Sequence, residues 1–209
     1  RMIELHGHET AALIVEPLMQ GAGGIRLCRP SFMKQITETA QNAGILVIYD
    51  EVAVGFGRTG SLFACDQIGV VPDFICLSKG LTSGYMPMSV TVATDRVYEA
   101  FLDDSFSKAF LHGHSFTANP LACAVANASL KLFDEDRVLD KIAHIQTRHQ
   151  ELLNELRRHP LACMPRTMGS ILAFNLHSGP AGYKSAGGEF LRDWYLSHGL
   201  NIRPLGDAV

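Results

Sequence analysis

Four short runs of apolar and β-branched residues constrain this sequence more than any other feature. They are AALIVEP (11–17), ILVIY (45–49), DFICLS (73–78) and MSVTVAT (88–94). ILVIY and DFICLS are short continuous apolar runs, which are typical of strands that are covered on both faces. A helical segment that begins with proline, residues 30–42, separates two of the runs, and crossovers of this kind join parallel strands. The pattern predicts an α/β fold with a mostly parallel sheet.

The pattern changes after residue 118. Asn119 and Pro120 are the cap and the first residue of a predicted helix, NPLACAVANASLKLF. Its small residues share one face and permit close packing; they are Ala122, Ala126 and Ser129. A longer amphipathic helix follows, with apolar residues at helical spacing from Val138 to Leu156.

The last fifty residues have a mixed composition. They predict a strand (SILAFNLH), a helix (GGEFLRDWYLSHG) and a second strand (LNIR). We therefore predict part of a large domain in 1–135, a connecting helix in 136–159 and part of a small α+β domain in 160–209. Neither end reads as a natural domain terminus, so we expect the chain to be a fragment.

The composition limits the classes of function. A net charge of −3 gives no broad basic surface, which argues against nucleic acid as a partner. No apolar run approaches the roughly 20 residues that span a bilayer, so we expect no membrane partner. The five cysteines are scattered without paired spacing, which predicts a reducing compartment and a cytoplasmic location.

Two of the predicted strands end at chemically potent side chains. ILVIY runs into Asp50, and FICLS runs into Lys79. Ligands of open α/β sheets bind beyond the carboxyl ends of the strands, so both side chains are expected at one ligand-binding edge. A buried carboxylate and a buried amine are each costly to desolvate alone, so we expect each to have a partner.

Two interpretations of Asp50 and Lys79 are open on the residues alone. In the first they form a structural ion pair. In the second they hold opposite ends of one small aromatic ring, since neighbouring strands lie about 4.8 Å apart. Lysine forms Schiff bases with aldehydes, and a carboxylate beside a pyridine nitrogen keeps that nitrogen protonated. The second interpretation predicts pyridoxal 5′-phosphate as the cofactor.

Two other segments match known binding motifs but lack features that those binding sites require. The segment 55–60, GFGRTG, fits G-x-G-x-x-G, but Asp50 and Glu51 separate it from the strand and would repel a dinucleotide pyrophosphate. His-Gly-His occurs at 6–8 and 112–114 without a third ligand nearby, so we predict no metal site.

Further candidate contacts lie in polar segments. His114 and Ser115 belong to the loop LHGHSF, whose amides and hydroxyl suit a phosphate oxygen; a plain turn is the alternative. Arg58 lies in a glycine-rich loop beside the predicted site and is a candidate for a substrate or partner contact; a solvated charge is the alternative. Arg203 follows a predicted strand and is a candidate clamp for a substrate carboxylate.

Three ordered motifs carry a family resemblance. They are YDEVAVGFGRTG, the LSKGLTSGY segment around Lys79, and HGHSFTANPLACAVA. Together they resemble the class III (omega) aminotransferases of pyridoxal-phosphate fold type I, over nearly all 209 residues. The resemblance implies a two-domain enzyme of about twice this length. It also implies that a preceding segment holds the glycine-serine turn that binds most of the cofactor phosphate.

The resemblance assigns roles residue by residue. Lys79 is implied as the Schiff-base lysine and Asp50 as the partner of the pyridinium nitrogen. The segment Gly113–Ser115 falls where one subunit of a homodimer supplies phosphate and substrate contacts to the other subunit's active site. Arg203 falls where the family binds a substrate carboxylate.

Ala53 indicates a branch within the class. Most class III enzymes carry glutamine at this place, whereas the branch that acts in biotin synthesis carries alanine. Three further segments also resemble that branch: FACD, KGLTSGYMPMS and NPLACAVANASL. The resemblance implies amino-group transfer from S-adenosylmethionine to 8-amino-7-oxononanoate. The alternatives are a lysine donor, another class III transaminase acting on an ω-amino acid or amine, and a non-catalytic fragment. The branch usually has Pro-Thr where this chain has His114-Ser115, which retains the hydroxyl but changes the expected local geometry.

Overall fold

A computed structural model of the chain describes residues 1–176 and 186–209. Its strands are β1 (Ala12–Val15), β2 (Met19–Gln20), β3 (Arg26–Leu27), β4 (Leu46–Asp50), β5 (Phe74–Leu77), β6 (Val90–Ala93), β7 (Ala162–Met168) and β8 (Ile171–Leu176). Its α-helices are α1 (Met2–His6), α2 (Pro30–Asn42), α3 (Ala64–Ile68), α4 (Asp95–Glu99), α5 (Pro120–Glu135), α6 (Val138–Leu156) and α7 (Ala186–Ser197). Short 3₁₀ helices cover Gly7–Glu9, Lys79–Thr82 and Phe106–Lys108.

A four-stranded sheet with the order β1-β4-β5-β6 organises the first part of the chain. β1, β4 and β5 run parallel, and β6 pairs antiparallel with β5. The predicted α/β fold with a mostly parallel sheet is confirmed. Because β4 and β5 are parallel neighbours, their carboxyl ends meet at the same sheet edge, where Asp50 pairs with Cys76.

The core lies on the sheet face that carries Val47 and Tyr49. Both side chains are fully buried and share a cluster with Met33 of α2 and Ala64 of α3. Burying a side chain the size of Met33 or Val47 contributes roughly 1.5–3 kcal/mol. The Tyr49 hydroxyl lies 2.6 Å from Thr37 Oγ1, so its polar atom is satisfied inside the core.

The opposite face of the sheet is less covered than the apolar runs predict. Ile14 of β1 is 64% exposed, and Ile48 of β4 is only half-buried. The side chains of β4 and β5, where cover on both faces is expected, are all buried or half-buried, and those of Ile48, Phe74 and Cys76 on this face are only half-buried. The physical reason is that α2 and α3 both contribute to the cluster on the other face.

Asp73, directly before β5, is hydrogen-bonded to Val47 of β4 and so fixes the two strands relative to each other. Its buried carboxylate accepts the Val47 backbone N–H at 2.8 Å and a hydrogen bond from Arg96 Nη2 at 3.0 Å. Its own backbone N–H donates to the Val47 carbonyl at 2.9 Å. Paired in this way, the carboxylate is satisfied although buried, and the two strands reach the same edge.

The C-terminal part contains the antiparallel hairpin of β7 and β8. The run SILAFNLH correctly predicted β8, and its last residue, His177, lies outside the described residues. β7 was not predicted because Pro165 interrupts it. A register shift between Cys163 and Arg166 accommodates this proline, which cannot donate a ladder hydrogen bond.

The predicted strand LNIR is wrong. Residues 201–204 have no regular structure, and the position beside β8 is taken by 207–209 instead. Phe174 and Val209 exchange two backbone hydrogen bonds of 2.9 Å. Because 207–209 occupies the edge of β8, the residues of LNIR have no strand partner there.

Arg166 attaches the hairpin to the turn between β2 and β3. Its guanidinium donates to the carbonyls of Gly24 and Ile25, both at 2.6 Å, and to Asn175 Oδ1 at 2.7 Å. Asn175 in turn donates to Asp207 at 3.0 Å. These contacts join the first and last parts of the chain; the predicted domain boundaries themselves stay a prediction.

No helix in the described ranges is both long and apolar enough to cross a bilayer. All five cysteines have free thiols.

Candidate active site

Asp50 and Lys79 lie at the carboxyl edge of neighbouring strands. Asp50 is the last residue of β4 and is in register with Cys76 of β5. Lys79 follows β5 by two residues and begins a 3₁₀ helix. Neighbouring strands are about 4.8 Å apart, so the backbone brings both residues to one edge of the sheet.

The two side chains do not form an ion pair. Within residues 1–176 and 186–209, the ion pairs closer than 4.0 Å include neither Asp50 nor Lys79. The structure therefore does not support the ion-pair interpretation. Asp50 Oδ1 accepts the backbone N–H of Val52 at 3.1 Å.

The expectation that both side chains are buried is also wrong. Asp50 is half-buried and Lys79 is exposed. The physical reason lies in the 3₁₀ helix that begins at Lys79: its buried residues are Leu81 and Thr82, and the lysine lies on its exposed side.

The backbone at Lys79 is strained. Its φ of +40° lies in the left-handed region, which a residue with a β-carbon adopts at a cost of order 1–3 kcal/mol. The turn is held by the Leu81 N–H, which donates to Ser78 O at 2.9 Å, and by Thr82 Oγ1, which donates to Met86 O at 2.6 Å. Strain that surrounding bonds maintain in this way is typical of functional positions.

Helix α5 supports this turn with its small residues, as the sequence predicts. Ala122 and Ala126 are buried. Ser129 Oγ lies 2.7 Å from Ser83 Oγ and 3.4 Å from the carbonyl of Gly80. The predicted close packing of this face is confirmed.

Glu51 was missed as a site residue. Its side chain is fully buried, and its two oxygens accept the backbone N–H groups of Ala64 (2.7 Å) and Cys65 (2.9 Å) at the start of α3. Its backbone N–H donates to Cys76 O at 3.0 Å, and its carbonyl accepts from Gly55 N at 2.9 Å. Burial raises the pKa of Glu51, and the two N–H groups partly oppose that rise. Its place directly after Asp50 was the only clue to it in the sequence.

The loop after Glu51 reaches the segment that carries Lys79. The Phe56 ring packs against Gly80, where an added β-carbon would lie 2.8 Å from Phe56 Cβ. Phe56 also meets Phe63 edge-on, with ring centroids 5.6 Å apart. The glycine-rich segment 55–60 therefore acts as a packing loop. No helix begins at Gly60, which is the feature that the dinucleotide motif requires.

Arg58 has an exposed side chain, but its backbone is firmly held. Its carbonyl accepts the Ser170 N–H at 3.1 Å in the turn between β7 and β8. The adjacent Gly169 has φ +54° and approaches so closely that a β-carbon there would lie 2.6 Å from the Arg58 carbonyl oxygen. The guanidinium is thus presented from a fixed loop, free of described partners.

The loop of Gly113, His114 and Ser115 is exposed throughout. It is closed by its own side chains: Thr117 Oγ1 accepts the His114 N–H at 2.9 Å, and His114 Nδ1 accepts the Phe116 N–H at 3.1 Å. The neutral His114 ring therefore carries its proton on Nε2. His114 lines a cavity of about 600 Å³ together with Ser78, the residue before Lys79. The loop and the segment that contains Lys79 therefore border the same cavity.

Arg203 has no described contact with the other candidate residues. It is exposed in the irregular segment 201–204 and makes no hydrogen bond or ion pair with a described residue. Nothing within the described ranges groups three histidine, cysteine, aspartate or glutamate side chains closely enough to hold a metal ion.

The chemistry of Asp50 and Lys79 fits pyridoxal 5′-phosphate. Asp50 Oδ2 and Lys79 Nζ have no partner among the described residues, so an acceptor and an amine at one edge remain available. Asp50 would take the ring nitrogen, and Lys79 the aldehyde.

Comparisons with known proteins agree with this chemistry. Residues 1–209 match the family model of aminotransferase class III. A curated adenosylmethionine-8-amino-7-oxononanoate aminotransferase from Synechococcus elongatus is 46% identical over 201 residues, which are 96% of this chain and 47% of that protein. A relative of the same name from Geobacter sulfurreducens is 44% identical and covers 100% of this chain and 48% of its own length. The chain spans about half the length of these curated relatives.

Solved structures give the same result. The adenosylmethionine-8-amino-7-oxononanoate aminotransferase of Methanocaldococcus jannaschii superposes with a TM-score of 0.88 at 32% identity, over 99% of this chain and 49% of that one. The omega transaminase of Pseudomonas jessenii, in complex with PMP, superposes with a TM-score of 0.90 at 32% identity, over 100% of this chain and 47% of that one. The predicted family resemblance is confirmed. The chain belongs to the class III aminotransferases, which depend on pyridoxal 5′-phosphate.

Proposed function

We propose that the protein transfers an amino group from S-adenosylmethionine to 8-amino-7-oxononanoate and so forms 7,8-diaminononanoate for biotin synthesis. The observation that carries the proposal is the placement of Asp50 and Lys79 at one sheet edge, each with an unused polar atom. The name shared by the relatives at 46% and 44% identity supports the choice of substrates.

Asp50 and Lys79 divide the chemistry between them. Bound pyridoxal phosphate supplies an aldehyde that takes up amines and a ring that accepts electrons from the substrate carbon. The Asp50 carboxylate would keep the ring nitrogen protonated. Lys79 would hold the aldehyde, and its amine, when free, would move a proton at the substrate carbon. The donor and the keto acid use the site in turn.

The remaining candidate residues are proposed to bind the substrates and the cofactor phosphate. In a cytoplasmic homodimer, the exposed loop of Gly113, His114 and Ser115 serves the active site of the other subunit. Arg203 and Arg58 bind polar substrate groups, and the free guanidinium of each supports this role. Arg203→Ala is expected to raise KM for the keto acid by about tenfold, since a charge-assisted hydrogen bond contributes 1.5–3 kcal/mol. An unchanged KM would remove Arg203 from the site.

The direct test is addition of pyridoxal phosphate to the purified whole protein. We expect visible absorbance from lysine-bound aldehyde in the wild type and none in Lys79→Ala. Lys131→Ala is the matched control, because Lys131 is an exposed lysine paired with Glu135 at 3.4 Å. A wild-type protein that never colours with the aldehyde would end the proposal.

A second candidate function is transamination of an ω-amino acid or amine. The superposition on the omega transaminase of Pseudomonas jessenii favours it. A donor screen with S-adenosylmethionine, lysine and simple amines separates the two functions, because only the biotin-pathway activity produces 7,8-diaminononanoate. Turnover with amines alone would replace the first candidate by the second.

A further inference from the structure

Glu51 is linked to the Lys79 segment through a short series of contacts. Its carboxylate holds the start of α3, the helix that Phe63 directly precedes. The Phe63 ring meets Phe56 edge-on at 5.6 Å, and Phe56 packs against Gly80. Gly80 follows Lys79 in the chain, so each contact in the series joins neighbours in space or sequence.

Glu51 also holds the backbone next to Asp50 at the sheet edge. Asp50 precedes Glu51, whose backbone N–H donates to Cys76 O on β5 at 3.0 Å. The pairing of β4 with β5 therefore extends one residue beyond Asp50. A displacement of Glu51 would move Asp50 through the backbone and Phe56 through the loop at the same time.

We propose that Glu51 is a positioning residue for the reaction, because its buried carboxylate ties Asp50 and the Lys79 segment to one fixed point, the start of α3. The inference rests on the proposed function, in which Asp50 and Lys79 hold one cofactor. Small misplacements of such groups cost large factors in binding and rate.

Glutamine at position 51 tests the role of the two oxygens. It has nearly the volume of glutamate but replaces one acceptor oxygen by an NH₂ donor, so the two bonds that Glu51 accepts through separate oxygens from Ala64 N and Cys65 N cannot both persist in place. One buried N–H then lacks a partner. Asp66→Asn is the matched control, because Asp66 accepts the Phe63 N–H at 3.0 Å at the same helix start but is exposed.

The experiment compares Glu51→Gln and Asp66→Asn with the wild-type whole protein. Hydrogen–deuterium exchange of amides in 79–85 is measured without cofactor, and Kd and the pH midpoint of the visible absorbance are measured with pyridoxal phosphate. For Glu51→Gln we expect the amide exchange rates in 79–85 and the Kd for pyridoxal phosphate to rise by about tenfold. We expect the pH midpoint of the visible absorbance to move by about 0.5 pH unit or more. For Asp66→Asn we expect changes within about twofold.

The outcomes separate positioning from plain stability. If Glu51→Gln lowers the melting temperature but leaves exchange, Kd and the midpoint at wild-type values, the inference is overturned. If Glu51→Gln does not fold, Phe63→Leu decides: it leaves the Glu51 hydrogen bonds in place and removes the edge-on contact with Phe56. If the amide exchange rates in 79–85 of Phe63→Leu equal those of the wild type, the inference is overturned. A wild type that binds no cofactor refutes the proposed function, whereas the exchange comparison still tests the link from Glu51 to Lys79.

Discussion

The side chain of Phe56 lies against Gly80 with no room for a β-carbon between them; such an atom would be 2.8 Å from Phe56 Cβ and Cδ2. This contact is where the loop that follows Asp50 meets the turn that begins at Lys79. It needs glycine for the close approach of the ring, and it connects two segments that are separate in the sequence.

Gly80→Ala is expected to destabilise the fold by roughly 1–3 kcal/mol, the usual cost of overpacking. Urea unfolding measures the loss. Gly113→Ala is the control, because the nearest atom to a β-carbon there is Thr117 Oγ1 at 3.9 Å. It is expected to change stability by less than about 0.5 kcal/mol. Equal losses in both variants would contradict the packing argument.

Glu51 predicts a specific pH dependence of stability. Burial raises its pKa above the ordinary value of 4.5, so the folded state keeps this proton to a higher pH than the unfolded chain does. The stability that Glu51 contributes is therefore fully present below its unfolded pKa and is lost as the pH rises through its folded pKa.

The comparison of wild type with Glu51→Gln isolates this effect, because both proteins share every other titrating group. We expect the difference in their free energies of unfolding to shift in favour of the variant as the pH rises from about 4.5. Urea unfolding at several pH values measures it. A wild-type advantage that grows with pH would show that the pKa of Glu51 is lowered.

Cys65 is expected to be unreactive in the folded protein. Burial raises the pKa of its thiol from 9.0 to about 12, with Glu51 and Asp66 adding to the rise. Thiolate is the reactive form, so its fraction at pH 8 falls by about a thousandfold. Alkylation with iodoacetamide followed by mass spectrometry measures this, with the urea-unfolded chain as the control. Equal labelling of native and unfolded Cys65 would refute the prediction.

Asp50→Asn tests the proposed role of the carboxylate at the ring nitrogen. We expect the whole protein to keep bound cofactor but to lose turnover by about 10²-fold or more, because an amide cannot hold that nitrogen protonated. Absorbance measures binding, and product formation measures turnover. Asp66→Asn, an exposed aspartate near the same loop, is the control. Near-normal turnover in Asp50→Asn would exclude the role.

Several elements could be predicted from the sequence because their causes are local. The cap at Asn119 accepts the N–H groups of Leu121 (3.0 Å) and Ala122 (3.4 Å), and α5 begins at Pro120 as the cap residues indicate. The apolar runs of β4 and β5 likewise end at Asp50 and shortly before Lys79. Local pattern failed at LNIR, because pairing beside β8 depends on which segment reaches that edge.

The sequence by itself determined the four strands of the main sheet with the helices α2, α5 and α6, the family, and the two residues that end neighbouring strands, since apolar runs, caps and motifs are read along the chain. Only the tertiary structure decided that Lys79 is exposed, that Glu51 is buried under α3, and that Phe56 covers Gly80. Burial and packing depend on residues that are distant in sequence and meet only when the chain folds, and no local pattern records which of two adjacent carboxylates will turn inward.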